Sequence, residues 1–322
     1  MAFYITGDCH GEFSKIAFFC EHHKTSIKDV MIILGDFGVN HWLGEKDVEN
    51  KKLLAQIPLT FFAVHGNHEA RPYEIEGYVE REWCGGIVYI EPQYPNILFA
   101  KDGEIYTLGD KKCMAIGGAY SVDKYHRLRV GLPWFESEQP SSEIKSFVEH
   151  QLKSIDYKID YVFSHTCPLK YEPSDLFLDF VKFNYEKADT STEEWLTWLE
   201  EKINYEKWYF GHFHANRIFL RAELLFDTIK ELGSEDFIQR VGRPKFRKGE
   251  MVLFYHDTGK EKIEHYGKIE IIDSYGTWGQ CKEVSYDIMG MDERALFKHV
   301  VESDVYGFQE INEECERYWI QK

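Results

Sequence analysis

Seven cysteines in 322 residues form no C-x-x-C pair, and their odd number fits poorly with a disulfide framework. A reducing compartment follows, and with it an expected cytoplasmic location. No run approaches the roughly 18 apolar residues of a membrane span. The N-terminal stretch MAFYITGDCHG has neither the basic start nor the apolar length of a signal peptide, so no membrane partner is expected. Basic charge is also scarce. A formal net charge of −17 argues against a broad electrostatic grip on DNA or RNA. It leaves a phosphate substrate open, because bound divalent metals reverse the local potential of a pocket. A G-x-S-x-G elbow is absent, which removes support for Ser-His-Asp catalysis. There is no P-loop, internal repeat or low-complexity tract.

What is present is core material. Hydrophobic residues at 43% and aromatics at 16%, with 29% charged, describe a folded protein. The length exceeds what a single core usually fills, so a main domain with a smaller companion is expected. Short, nearly continuous apolar runs at 2–6, 30–34, 59–64, 113–116, 160–164 and 207–210 read as strands buried on both faces. Helical spacing marks 12–24, 141–155 and 191–203, the last opening with a Ser191-x-x-Glu194 capping box. Strands alternating with helices imply a layered α/β domain.

The informative regularity lies behind the strands. GDCHG (7–11), GDF (35–37), GNHE (66–69), His165 and GHFH (211–214) each follow one of those apolar runs. In an open α/β sheet the loops at strand carboxyl ends converge on a rigid scaffold, so these residues are expected to meet. A single histidine there is usually a hydrogen-bonded surface residue. Two aspartates among several imidazoles are different, since like carboxylates repel unless a cation joins them. Asp8, His10, Asp36, Asn67, His165, His212 and His214 are donors that suit manganese, iron or zinc. Residues two apart in D-x-H and H-x-H can serve one ion or divide between two that share a carboxylate and hold a hydroxide.

The order GDCHG, GDF, GNHE, SHTCP and GHFH resembles the calcineurin-like metallophosphoesterase superfamily over residues 1–232. The resemblance implies a four-layer αββα sandwich and two divalent cations, manganese first, with iron, zinc or nickel as alternatives. It implies that Asp8, His10, Asp36 and His214 hold one ion and that Asp36, Asn67, His165 and His212 hold the other. His68 would protonate the leaving group, and Glu69 would orient its neighbours. Asp36, Asn67 and His68 are the expected catalytic residues. One departure sets the chain apart from the phosphoprotein phosphatase branch. There the second motif continues as GDxxDRG, whose arginine binds phosphate, whereas here it reads GDFGVNH, with Val39 in place of the aspartate and Asn40 in place of the arginine. Phosphate-binding cations must come from elsewhere. Lys124, His126, Arg127 and Arg129, in an expected loop over 117–135, and Arg71 after GNHE are the candidates.

The expected activity is hydrolysis of a phosphate mono- or diester in a small molecule, nucleotide or phosphoprotein. Alternatives are a binding scaffold on the same fold, and a nucleotide or nucleic-acid phosphodiesterase guided by a second domain. That second domain is expected at 244–322, after a linker at 233–243. Apolar runs at 251–255, 267–272, 285–289 and 295–301, separated by turn material, suggest a small SH3-like all-β barrel. A peptide, nucleic acid bound through Arg243–Lys248, or a second subunit is its expected ligand.

Overall fold

The computed structural model describes residues 1–177, 188–235, 237–239, 244–257, 259, 261–273, 284–291 and 295–307, with the side chains of 21, 22 and 237–239 left out. Arg243, Cys281, Cys315 and most of the turn at 273–280 lie outside the described residues. The chain divides into two compact units, Met1–Gln239 and Arg240–Lys322.

The strands of the first unit are β1 (Phe3–Thr6), β2 (Val30–Ile33), β3 (Thr60–Ala63), β4 (Val79–Trp83), β5 (Gly86–Ile90), β6 (Ile97–Ala100), β7 (Ile105–Leu108), β8 (Lys111–Ile116), β9 (Tyr161–Ser164), β10 (Lys207–Phe210), β11 (Arg217–Ile218), β12 (Ala222–Leu224), β13 (Ile229–Glu231) and β14 (Phe237–Gln239). They form an eight-stranded sheet in the order β14-β13-β1-β2-β3-β6-β5-β4 and a six-stranded sheet in the order β11-β12-β10-β9-β8-β7. Neighbours β1, β2 and β3 are parallel, as are β8, β9 and β10.

Alternation along the strands builds the layers. Ile32, Leu34, Phe62 and Val64 turn inward to meet Ala115, Phe163 and Tyr209 of the other sheet. Met31, Ile33 and Phe61 turn outward against Ile16, Phe19 and Leu54, carried by α1 (Ser14–His23) and α2 (Glu45–Leu54). On the far side, Ile116, Val162, Trp208 and Phe210 pack against α4 (Ser142–Ser154) and α5 (Ser191–Glu200) through Val148, Leu152, Leu196 and Leu199. Helix, sheet, sheet, helix is the four-layer α/β arrangement. It explains the continuous apolar runs, because each central strand is buried on both faces.

Three local expectations change. Residues 124–130 are a helix, α3 (Lys124–Val130), rather than loop. None of its residues is buried, so no apolar periodicity marks it. The capping box does not form. Thr190 is the N-cap of α5, its hydroxyl donating to Glu194 Oε1 at 3.0 Å, and Asp189 Oδ1 accepts from the Ser191 amide at 3.0 Å. The stretch from 233 is not all linker, since β14 pairs with β13 at the sheet edge.

The second unit holds β15 (Met251–Asp257), β16 (Lys262–Asp273), β17 (Ser285–Gly290), β18 (Leu296–Val301) and β19 (Val305–Gly307), all antiparallel in the order β18-β17-β16-β15-β19. Val252, Phe254, Ile269, Tyr286, Ile288 and Val300 form its core. Among the described residues β18 and β19 are the two edges, so the all-β character holds while barrel closure is not part of the pairing.

Candidate metal centre

Five parallel strands deliver the polar residues to one edge. Asp8 and His10 follow β1, Asp36 follows β2, Asn67 and His68 follow β3, His165 follows β9, and His212 and His214 follow β10. The loops bond to one another as well as to their strands. The amides of Cys9 and His10 donate to Asp36 O at 3.1 and 2.7 Å, and the Gly211 amide donates to His165 O at 3.0 Å. Glycine precedes the donors because there is no room for anything larger. A Cβ on Gly66 would land on the amide and Oδ1 of Asp36, and one on Gly211 would land on Asp8 Oδ1.

Backbone strain gathers here too. His10 (φ 51°), Asp36 (φ 46°), His212 (φ 70°) and His214 (φ 48°) adopt the left-handed region, which costs a non-glycine residue about 1–3 kcal/mol. Four of the ten such residues in the described backbone are expected metal ligands. The fold holds them in place at a cost that packing alone does not explain.

The side chains fall into two groups sharing Asp8, one with His10 and His214 and the other with Asp36 and His165. Asp8 Oδ2 lies 3.2 Å from His214 Nε2 and 3.7 Å from His10 Nε2, and the two imidazole nitrogens are 2.9 Å apart. Ligand bonds of about 2.1 Å place neighbouring donor atoms about 3.0–3.4 Å apart in octahedral or tetrahedral geometry, so this spacing fits donors around one ion. Asp36 Oδ2 reaches toward both groups, 3.9 Å from His10 Nδ1 and 3.7 Å from His165 Nε2.

His165 gives the sharper test of fit. Its Nδ1 can only donate to the carbonyl of Leu34, at 2.8 Å. Its Nε2 then faces Asn67 Oδ1 at 2.7 Å and Asp36 Oδ2 at 3.7 Å, all acceptors. The amide of Asn67 is oriented by Nδ2 donating to Ser121 Oγ at 2.8 Å. A neutral imidazole has one donor, so a lone pair pointing at two oxygens calls for a positive charge between them. Donation of the remote ring nitrogen to a backbone carbonyl is how a metal-ligating histidine is usually fixed.

Charge balance points the same way. Burial pushes Asp36 up, against the pull of His165. Burial would also raise Asp8, but the hydrogen bond from His214 and the nearby imidazoles hold it below the usual range. Burial first, then neighbouring imidazoles, keep His10 and His212 well below their ordinary value. His212 otherwise meets the group through its ring, 4.9 Å from that of His165, and its amide donates to Asp8 Oδ1 at 3.0 Å.

His68 stands beside this cluster, its ring centre 6.1 Å from that of His10 and its amide donating to Asp36 Oδ1 at 2.9 Å. Burial and then the Arg127 charge depress its pKa well below the usual value. Of the five candidate phosphate-binding residues, Lys124, His126, Arg127, Arg129 and Arg71, one, Arg127, lies beside His68. Arg127 Nη2 lies 3.3 Å from His68 Nε2, with Nε on Asp123 at 2.8 Å and Nη1 on Pro133 O at 3.3 Å. Lys124 instead lies 4.0 Å over the ring of Trp134, and Arg129 is exposed beside His126. Arg71 is 2% exposed and bound to Asp102 and Ser137 O.

Two neighbours, His41 and Ser121, carry no sequence signal. His41 Nδ1 contacts His68 O at 2.5 Å, and Ser121 fixes Asn67. Asn40 accepts from Tyr78 at 2.9 Å, and its carbonyl holds the Ala70 amide at 2.9 Å behind GNHE. Glu69 is buried, accepts the Gly66 amide at 2.9 Å, and is pushed up to about 8 by burial. Cys9 and Cys167 are buried in separate apolar clusters, away from ligand duty.

Residues 1–216 match the family model described as calcineurin-like phosphoesterase. No curated protein matches the chain. Among solved structures, a phosphopantetheinyl hydrolase from Mycobacterium tuberculosis is similar at 14% identity and a TM-score of 0.40, covering 70% of this chain and 88% of that one. Another aligns at 13% identity and a TM-score of 0.38, covering 69% and 88%. Neither likeness bears on substrate.

Proposed function

The chain belongs to the calcineurin-like phosphoesterase family, and from that premise we propose that it hydrolyses a phosphate ester with the help of two divalent cations. Asp8, His10 and His214 would hold one, and Asp36, Asn67, His165 and His212 the other, with Asp36 reaching both. Cations there supply Lewis-acid polarisation of the phosphoryl group and a water activated near neutral pH. The observation that carries this reading is His165, whose Nε2 faces only oxygen acceptors while Nδ1 is committed to Leu34 O.

The chain's own residues divide the remaining work. Ser121 fixes the amide of Asn67, and the His68 amide holds Asp36. His41 anchors the backbone of His68, whose ring would present a proton to the leaving oxygen. An anionic phosphate beside that ring opposes the depression of its pKa. Arg127, the one expected cation at the site, turns from His68 to a phosphoryl oxygen. Substrates are phosphorylated small molecules, nucleotides or phosphoproteins. The second unit would act as a separate peptide- or nucleic-acid-binding module over 244–322.

Protein reconstituted with manganese and supplied with mono- and bis-nitrophenyl phosphate tests the proposal. Release of nitrophenol that a chelator abolishes supports it. Metal bound without turnover of either ester would instead favour a binding scaffold.

A further inference from the structure

Lys15 on α1 is 1% exposed, and its ammonium has three donors and three acceptors, none of them a carboxylate. It donates to Asp8 O at 2.8 Å, Phe226 O at 2.7 Å and Gly7 O at 3.4 Å. Two of these carbonyls belong to the GD pair after β1. The third belongs to Phe226, beyond β12, whose ring centre is 5.0 Å from that of His214. One buried ammonium therefore holds the backbone of Asp8 directly and reaches His214 through Phe226, two of the three residues of the Asp8, His10 and His214 group. Burying a charge against neutral carbonyls is costly, which a lysine on the inner face of a helix does not need for packing.

We propose that Lys15 is a positioning residue for the ion held by Asp8, His10 and His214, clamping the backbone of Asp8 and of Phe226 so that carboxylate and imidazole converge before metal arrives. Two effects oppose each other. A positive charge near a cation site weakens binding, whereas a fixed ligand backbone strengthens it. Geometry decides for the second, since the ammonium sits on the carbonyl side of Asp8 while both carboxylate oxygens face other partners.

The inference rests on the two-cation reading, and titration of the full chain with manganese, followed by paramagnetic resonance, separates the two. Wild type that binds no manganese overturns the functional reading itself. If wild type binds two ions, Lys15→Met should weaken one of them about 10–100-fold, the range for outer-shell partners, and leave the other within about threefold. Lys15→Gln, which restores donors without charge, should recover much of that loss. Unchanged or tighter binding in Lys15→Met, equal loss at both ions, or a Gln variant no better than Met would overturn the proposal. Melting in chelator reports folding. If Met alone fails to fold, the Gln variant is read against wild type, where one ion weakened by about tenfold or less supports the clamp and equal weakening at both ions overturns it. Failure of both variants to fold would assign Lys15 to the fold and overturn it.

Discussion

Lys230 and Glu223 meet between the two sheets at 2.6 Å, both 2% exposed or less, whereas among the described residues the carboxylates of Asp8 and Asp36, as deeply buried, pair with imidazoles rather than with a lysine or arginine. Arg71 and Asp102 form a second matched pair close behind GNHE. The same unit thus balances buried charge by two methods. Where the purpose is packing, each charge has its opposite in the chain. At the strand ends the balance is left short of positive charge, and four backbone positions are strained to keep it so. The difference teaches that buried charge at the strand ends is arranged unlike buried charge in the packing layers, as the proposed cation site requires.

That contrast can be broken. Asp36→Ala should abolish turnover and lower metal content together, while stability in chelator changes by less than about 1 kcal/mol or improves, because a buried carboxylate without its cation has been removed. Steady-state kinetics, metal analysis and melting check the three parts. His68→Ala should lower kcat by about 10²–10⁴-fold and leave metal content unchanged. The loss should be larger for an alkyl phosphate than for nitrophenyl phosphate, whose leaving group needs little protonation. Equal losses with both substrates would remove His68 as the proton donor.

The matched pair gives the opposite signature. Glu223→Gln removes the carboxylate charge facing the buried Lys230 ammonium and should cost about 3–5 kcal/mol by denaturant titration, with manganese affinity per folded molecule unaltered. A smaller effect is expected from a carboxyl that belongs to neither class. Glu193 is buried, bonded by Thr166 at 2.7 Å, and raised to about 7 mainly by burial. A carboxyl whose folded pKa lies above the unfolded value of 4.5 favours the protonated native state. The contribution of Glu193 to the stability of the chelated protein should therefore fall as pH rises from about 4.5 to about 7 and then level off. Glu193→Gln should flatten that slope.

Sheets and centre were legible for one reason. A strand such as Val30–Ile33, buried on both faces, shows as an unbroken apolar run, and the donors sit immediately behind such runs. The hairpin Val79–Trp83 to Gly86–Ile90 was not read, because VEREW is largely exposed and charged at the sheet edge. Helix α3 escaped because it buries nothing. Arg71 read as a loop cation, since sequence does not show that Asp102 closes over it. Lys15 drew no reading from the sequence, and only the fold reveals that Phe226, some two hundred residues on, completes its shell.

The central claim is that the buried donors at the strand ends exist to hold cations. Anomalous diffraction from crystals soaked in manganese tests it most directly. Two peaks are predicted, one among Asp8, His10 and His214 and one among Asp36, Asn67 and His165. An ordered, metal-soaked centre with no anomalous density at those side chains would contradict it.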